Sequence, residues 1–496
     1  MGIARNALMS HSKQRSGGSP SHWAVTPRAR GVIIFLSLAA CGGSQQITGD
    51  DDGVPPSDAD DSPSTDSGSA TSGEGSAITV AISGPGRITS TPAGIDCGNG
   101  GTACTARFSD KAVVLTTDGA TTVRWSGACS GNGDCAVALG ADRAVTAETF
   151  APLRVTFDGA DHGSDACNAI AAGAGDSIIV AGSVQRFSQG DDAWAGGFDA
   201  SGHALWSYEL STPSEGHDLA SGVVALSDGS ARIAGTWFSG SNSQWNSFVL
   251  DFDAGGALAG SQLSEAVGED RYAAIARDAG GRLFVAGSQA DASGQAQAWI
   301  RALASDGGSE LWAVHRDGTA PGADHAAGVA VDSAGAVVAV GSETNATTGT
   351  DGWIAKYSPD GALRWSAALA GPDADWLADV AVGPDDGVAA VGGLDGASSI
   401  RAYTAAGAPR WDVTAADGTS WAGVAIDAAG DVVVAGSLGA DLVVRKYSPA
   451  GALIWQRIVD GASGQAVAID GHGRILVCGA TTKGGASDGL ILGFPQ

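Results

Sequence analysis

The chain has 496 residues, 44% of them apolar but only 6% aromatic, with 76 glycines and a formal net charge of −27. So acidic a surface repels phosphate backbones and anionic bilayers, which excludes nucleic acid as a partner. Short Val/Ile/Ala runs divided by glycine turns predict an all-β protein, and the length gives room for two or three domains.

Arg5, Lys13, Arg15, Arg28 and Arg30 precede an apolar run at 32–40. A basic leader and short apolar core form a secretory signal. The run is about ten residues, too short for a helix to cross a bilayer core of about 30 Å. The block Leu38-Ala39-Ala40-Cys41 resembles the lipobox of bacterial lipoproteins. That resemblance implies a signal peptide over 1–40, cleavage before Cys41, acylation of Cys41 and attachment to a membrane of the cell envelope. Gly42 and Gly43 follow without an aspartate, which directs the expectation to the outer membrane. Residues 41–76 read as an acidic Ser/Asp/Gly linker; from Ser44 to Ser76 there is no Lys, Arg or aromatic residue. Such a segment cannot bury enough apolar surface to order itself, and it reads as a self-repelling tether. Its clusters at Asp50-Asp51-Asp52 and Asp58-Ala59-Asp60-Asp61 lack the ligand spacing of a calcium loop.

Residues 77–152 form a small domain with predicted strands at 78–82, 112–116 and 144–150. It contains Gly84-Pro85-Gly86-Arg87-Ile88-Thr89-Ser90, then Trp125-Ser126-Gly127-Ala128-Cys129-Ser130-Gly131 and a closing Val145-Thr146-Ala147-Glu148-Thr149-Phe150. These motifs resemble the internalin B-repeat-type domain of exported bacterial proteins, which implies a spacer or adhesive module. Exported thiols usually pair. The local pairs Cys97–Cys104 and Cys129–Cys135 each bracket a Gly/Asn-rich loop able to fold back. A zinc site fits poorly, because the cysteine spacing is wrong and no histidine is near.

The remaining 153–496 repeats. Aligned on the glycine ending each V-x-G-like strand, the markers are Gly182, Gly235, Gly287, Gly341, Gly392, Gly436 and Gly479. Their spacings of 53, 52, 54, 51, 44 and 43 residues match propeller blades. The most regular unit is 328–366, with tight turns at Asp332-Ser333-Ala334-Gly335 and Ser358-Pro359-Asp360-Gly361. A second marker is a tryptophan in the outer strand: Trp206, Trp312, Trp365, Trp411 and Trp455. Once-per-blade aromatics of this kind predict packing between blades. The last repeat lacks its outer strand, and Leu153-Arg154-Val155-Thr156-Phe157 resembles the missing piece. The expectation is a seven-bladed β-propeller closed by strand exchange, which would remove the exposed sheet edge. The unit resembles the β-propeller (SBBP-type) repeat of bacterial surface proteins, a resemblance that specifies a fold and no ligand.

Seventeen residues before the first five markers lie Asp165, Asp218, Asp270, Asp324 and Asp375. A ring of carboxylates at the channel mouth is a weak cation candidate; the favoured reading is that each caps a turn through backbone N–H groups. His162, His217 and His325 lie near blade starts but share no register, so a symmetric metal site is not expected. Cys167 and Cys478 remain, either paired where the ring closes or as two buried thiols. Binding is expected in the polar segments 238–246, 289–297 and 343–351; Trp376 and Trp421 lie near blade entries, where core packing is the favoured role for each and an apolar anchor the other. No H-E-x-x-H or Walker motif occurs, and no cofactor is called for. The function expected is a non-catalytic binding or scaffold module, monomeric, tethered to the membrane and binding a protein or glycan on its loop face. The alternative is a propeller enzyme, a quinoprotein-like dehydrogenase or a lyase.

Overall fold

A computed structural model describes residues 75–494 except 118–121, 132–133, 151, 188–189, 211–215, 241–242, 265–267 and 484. Cys41, the leader and almost all of the linker lie outside the described residues. The described chain is built of strands, with one short 3₁₀ turn at Ala174–Asp176.

The first strands form two small sheets. Ser76–Ser83 lies between Thr105–Phe108 and Arg143–Phe150, running parallel to the latter, and a five-stranded sheet includes Ile88–Thr91 and Ala112–Thr117. Alternating residues bury Ile78, Val80, Leu115, Trp125 and Val145 between them. Disulfides Cys97–Cys104 and Cys129–Cys135 border this core, the local pairing expected from the Gly/Asn loops.

The rest of the described residues make seven four-stranded sheets in chain order. Six are consecutive antiparallel meanders; the fourth consists of His325–Val331, Val337–Asn345, Gly349–Tyr357 and Leu363–Leu369. The seventh takes Ala462–Ile469, Ile475–Lys483 and Ala486–Phe494 from the C-terminal end, and its fourth strand is Leu153–Phe157. The first strand of each sheet packs beside the first strand of the next, and that of the seventh beside that of the first. None of the sheets closes on itself. A disulfide joins Cys167, in the first strand of the first sheet (Ala166–Ala172), to Cys478 in the seventh.

The marker glycines have one physical cause. Each innermost strand carries a bulge, as at Ala326/Gly328 in the fourth sheet. There its backbone presses onto the second strand. A Cβ on Gly341 would lie 1.9 Å from the His325 carbonyl oxygen, and one on Gly182 2.0 Å from that of Ala166. The remaining five markers meet a carbonyl in the same way, at 1.8–2.1 Å. Only glycine fits. The outer tryptophans are equally regular: Trp312, Trp365 and Trp411 donate their indole N–H to Pro359, Ala405 and Pro449 carbonyls in the turn of the following sheet.

Candidate functional site

The five aspartates are clamps. All are at most 1% exposed. Asp324 accepts the Gly318 N–H at 2.7 Å and the Thr344 N–H at 2.6 Å, while its own N–H donates to Ala296 of the preceding sheet. Asp165, Asp218 and Asp375 likewise accept the N–H twenty residues on, from Gln185, Phe238 and Asp395. Asp270 differs, accepting Ser247 N–H at 3.0 Å and the Ser264 hydroxyl at 2.6 Å. Burial pushes the Asp165 carboxyl up to about 6 and raises Asp270 and Asp324 as well, against the pull of these N–H groups. Among the described residues, no three His, Cys, Asp or Glu side chains gather as a metal site.

Strand alternation then decides what faces the channel. The residue after each clamp is accessible: Arg271, His325 and Trp376 occupy this register in the third, fourth and fifth sheets, where the first has Ala166 and the second Leu219. A constant frame therefore presents a varied side chain. The position is sixteen residues before each marker glycine, so its variability against invariant neighbours was the signal available in the sequence.

A cavity of about 1030 Å³ opens beside Leu219, Arg271 and His325 on the face carrying the turns between second and third strands. Its walls come from the starts of the innermost strands of the second, third and fourth sheets. The hairpins of the second and third sheets and Asp191 of the first complete them. Two of the three expected segments contribute, 238–246 through Gln244 and Trp245, and 289–297 through Ala290, Gly294 and Ala296. The third, 343–351, does not. It is mostly ladder, with Glu343 taken by Arg316 at 2.7 Å and Asp351 by Asn345 at 2.9 Å. Trp421 is buried, with the Arg445 guanidinium 5.1 Å over its ring, while Trp376 is 41% exposed but outside the cavity.

Inside the cavity the polar groups are paired. The Arg271 guanidinium meets Glu269 at 3.2 Å and lies 4.7 Å over the Trp245 ring, which Phe238 meets edge-on. His217 Nδ1 is 2.8 Å from an Asp191 carboxylate oxygen. His325 projects into the cavity, reachable by solvent but walled by protein, and that loss of hydration lowers its pKa. His162 is elsewhere, paired with Asp158.

The opposite face, with its turns between first and second strands, carries the stapled domain. His472, in the turn of the seventh sheet, lies 3.2 Å from Glu148 of that domain and 2.7 Å from Asp176 of the first sheet. Arg124 donates to the His472 carbonyl.

No family model matches the sequence, and no curated protein matches it. Solved structures share its fold. U3-55K superposes with a TM-score of 0.50 at 11% identity, covering 69% of this chain and 98% of that one. The fold is a β-propeller. The WD40 repeats of RRP9 give 0.48 at 12% identity (69% and 97% covered), and streptogramin B lyase 0.45 at 12% (69% and 98%). At such identities the likeness is one of fold alone.

Proposed function

We propose that the chain is a cell-envelope lipoprotein, held to the outer membrane through acylated Cys41, whose propeller is a monomeric, non-catalytic binding module. In this reading 1–40 is the signal peptide, 41–76 the tether, and 77–152 an internalin B-repeat-like spacer. The ring, 153–496, is a seven-bladed propeller of SBBP-type repeats, closed by strand exchange through Leu153–Phe157. Pairing of that strand with Ala486–Phe494 supports the closure, and three disulfides support an oxidising compartment outside the cytoplasm.

The observation that carries the binding reading is the cavity on the face opposite the stapled domain. A ring held from the tether side presents that cavity outward. The non-catalytic part of the reading rests on strand alternation. Asp324 is held on the Gly318 and Thr344 N–H groups while His325 turns into the cavity, so these two do not pair, which leaves Asp191–His217 as an acid–base pair on the wall. The test is affinity capture from envelope extracts on the mature chain and on its Trp245→Ala/Arg271→Ala variant. A partner lost from the variant supports the proposal, and none on either favours a pure scaffold. Turnover in a substrate screen that disappears in His325→Ala would replace it with an enzyme. Mass spectrometry of the mature N-terminus tests the anchor, which an unmodified Cys41 would remove.

A further inference from the structure

We infer that the cavity takes a neutral oligosaccharide, an assignment that rests on the binding reading above and names its ligand class. Size comes first. At about 1030 Å³ the cavity lies at the upper end of the roughly 300–1,000 Å³ usual for small-molecule sites. It is larger than a single hexose needs.

The chemistry follows from how its charges are arranged. Glu269–Arg271 and Asp191–His217 each set a donor beside an acceptor, 3.2 and 2.8 Å apart. A hydroxyl both donates and accepts, so a vicinal pair of hydroxyls on a sugar ring matches such a donor–acceptor edge at both atoms. An isolated cation or anion matches only half of it. Trp245 supplies the other requirement, an apolar side chain on the wall for the C–H groups of a sugar to pack against, fixed by the Arg271 guanidinium 4.7 Å from its ring centroid and by a T-shaped contact with Phe238.

The same groups argue against the competing ligands. Arg271 is the one permanent cation among the lining residues, which also include Asp191 and Glu269, in a chain of net charge −27, so sulfated or sialylated glycans are repelled. Both of those carboxylates already have a cationic or imidazole partner, which leaves a basic peptide little to gain.

The experiment presents the mature full chain to an array of immobilised neutral hexose and N-acetylhexosamine oligosaccharides, with sialylated and sulfated glycans and a lysine-rich peptide alongside. Neutral oligosaccharides are expected to be retained and the anionic glycans not. Trp245→Ala should weaken retention about tenfold or more, as loss of a central aromatic anchor does. Glu269→Gln should weaken it several-fold with an unchanged melting temperature, and Ile454→Ala, on an outer strand, should change nothing. Retention of only charged probes, absence of any neutral hit, or neutral binding indifferent to Trp245→Ala overturns the assignment. If it falls while a cross-linker at Ala323 still captures a protein, the binding reading stands without the sugar; if neither gives a product, both fall.

Discussion

The indole N–H of Trp312 donates to the Pro359 carbonyl at 3.0 Å, tying the outer strand of the third sheet to a turn of the fourth. The ring lies over Gly361, whose φ of +87° and missing Cβ let it approach; a Cβ there would sit 2.9 Å from the indole. Trp206, Trp365 and Trp411 lie in the same way over Gly256, Gly407 and Gly451. These tryptophans are mortar between sheets, not a platform for ligand.

Trp312→Phe keeps most of the ring but drops the donor, so it should cost about 0.5–1.5 kcal/mol. Trp312→Ala also loses the half-buried ring, and about 2–3 kcal/mol is expected. Denaturant unfolding measures both. Equal losses from the two variants would mean that packing contributes nothing.

Gly341→Ala and Gly349→Ala separate two reasons for glycine. At Gly341 a Cβ would meet the His325 carbonyl at 1.9 Å, whereas at Gly349 φ is +86° and the space is open. The second should cost about 1–2 kcal/mol through the left-handed backbone. The first should cost more, because two backbones must part, and the fourth sheet should lose hydrogen-exchange protection.

The Cys167–Cys478 link joins the first and seventh sheets across 311 residues of sequence. Cys478→Ala should lower stability by about 2–5 kcal/mol. Cys167→Ala should match it, and the double variant should be no worse than either plus one lost buried contact. Thermal unfolding under non-reducing conditions reads this directly.

Stability should carry an acid-side signature from Asp379. Its carboxyl accepts N–H groups of Val380 and Val424 at 2.8 and 2.9 Å, yet desolvation pushes it up to about 6. A carboxyl raised on folding favours the folded state below its unfolded value near 4 and loses that contribution as pH rises through about 6. The stability of the wild type relative to Asp379→Asn should therefore fall between pH 4 and 6 and level off above about 7. A difference that rises over that window would contradict the assignment.

The frame was legible in the sequence because it repeats. Steric demands at Gly341 and its six counterparts, the clamp at Asp324 and the mortar at Trp312 recur from sheet to sheet, and repetition exposes a physical requirement. The cavity was legible only in part, through the segments 238–246 and 289–297, since it is made from what does not repeat. Trp245 lies in the segment 238–246 without any mark of its own, and Glu269 and Arg271 flank Asp270, whose recurrence speaks only for the frame. Their convergence needs three sheets placed side by side. The segment 343–351 misled for a related reason: its polar residues suggested an open loop, but Glu343 and Asp351 are spent on Arg316 and Asn345.

The central claim is that the cavity face is the working face of the ring. Placing the photo-cross-linker p-benzoylphenylalanine in place of Ala323, an exposed cavity residue, or Ala334, exposed in a turn on the opposite face, tests it directly. Irradiated in envelope extracts, the chain labelled at 323 should give a discrete adduct and the chain labelled at 334 none. Identical products from both positions, or an adduct from 334 alone, would contradict the account.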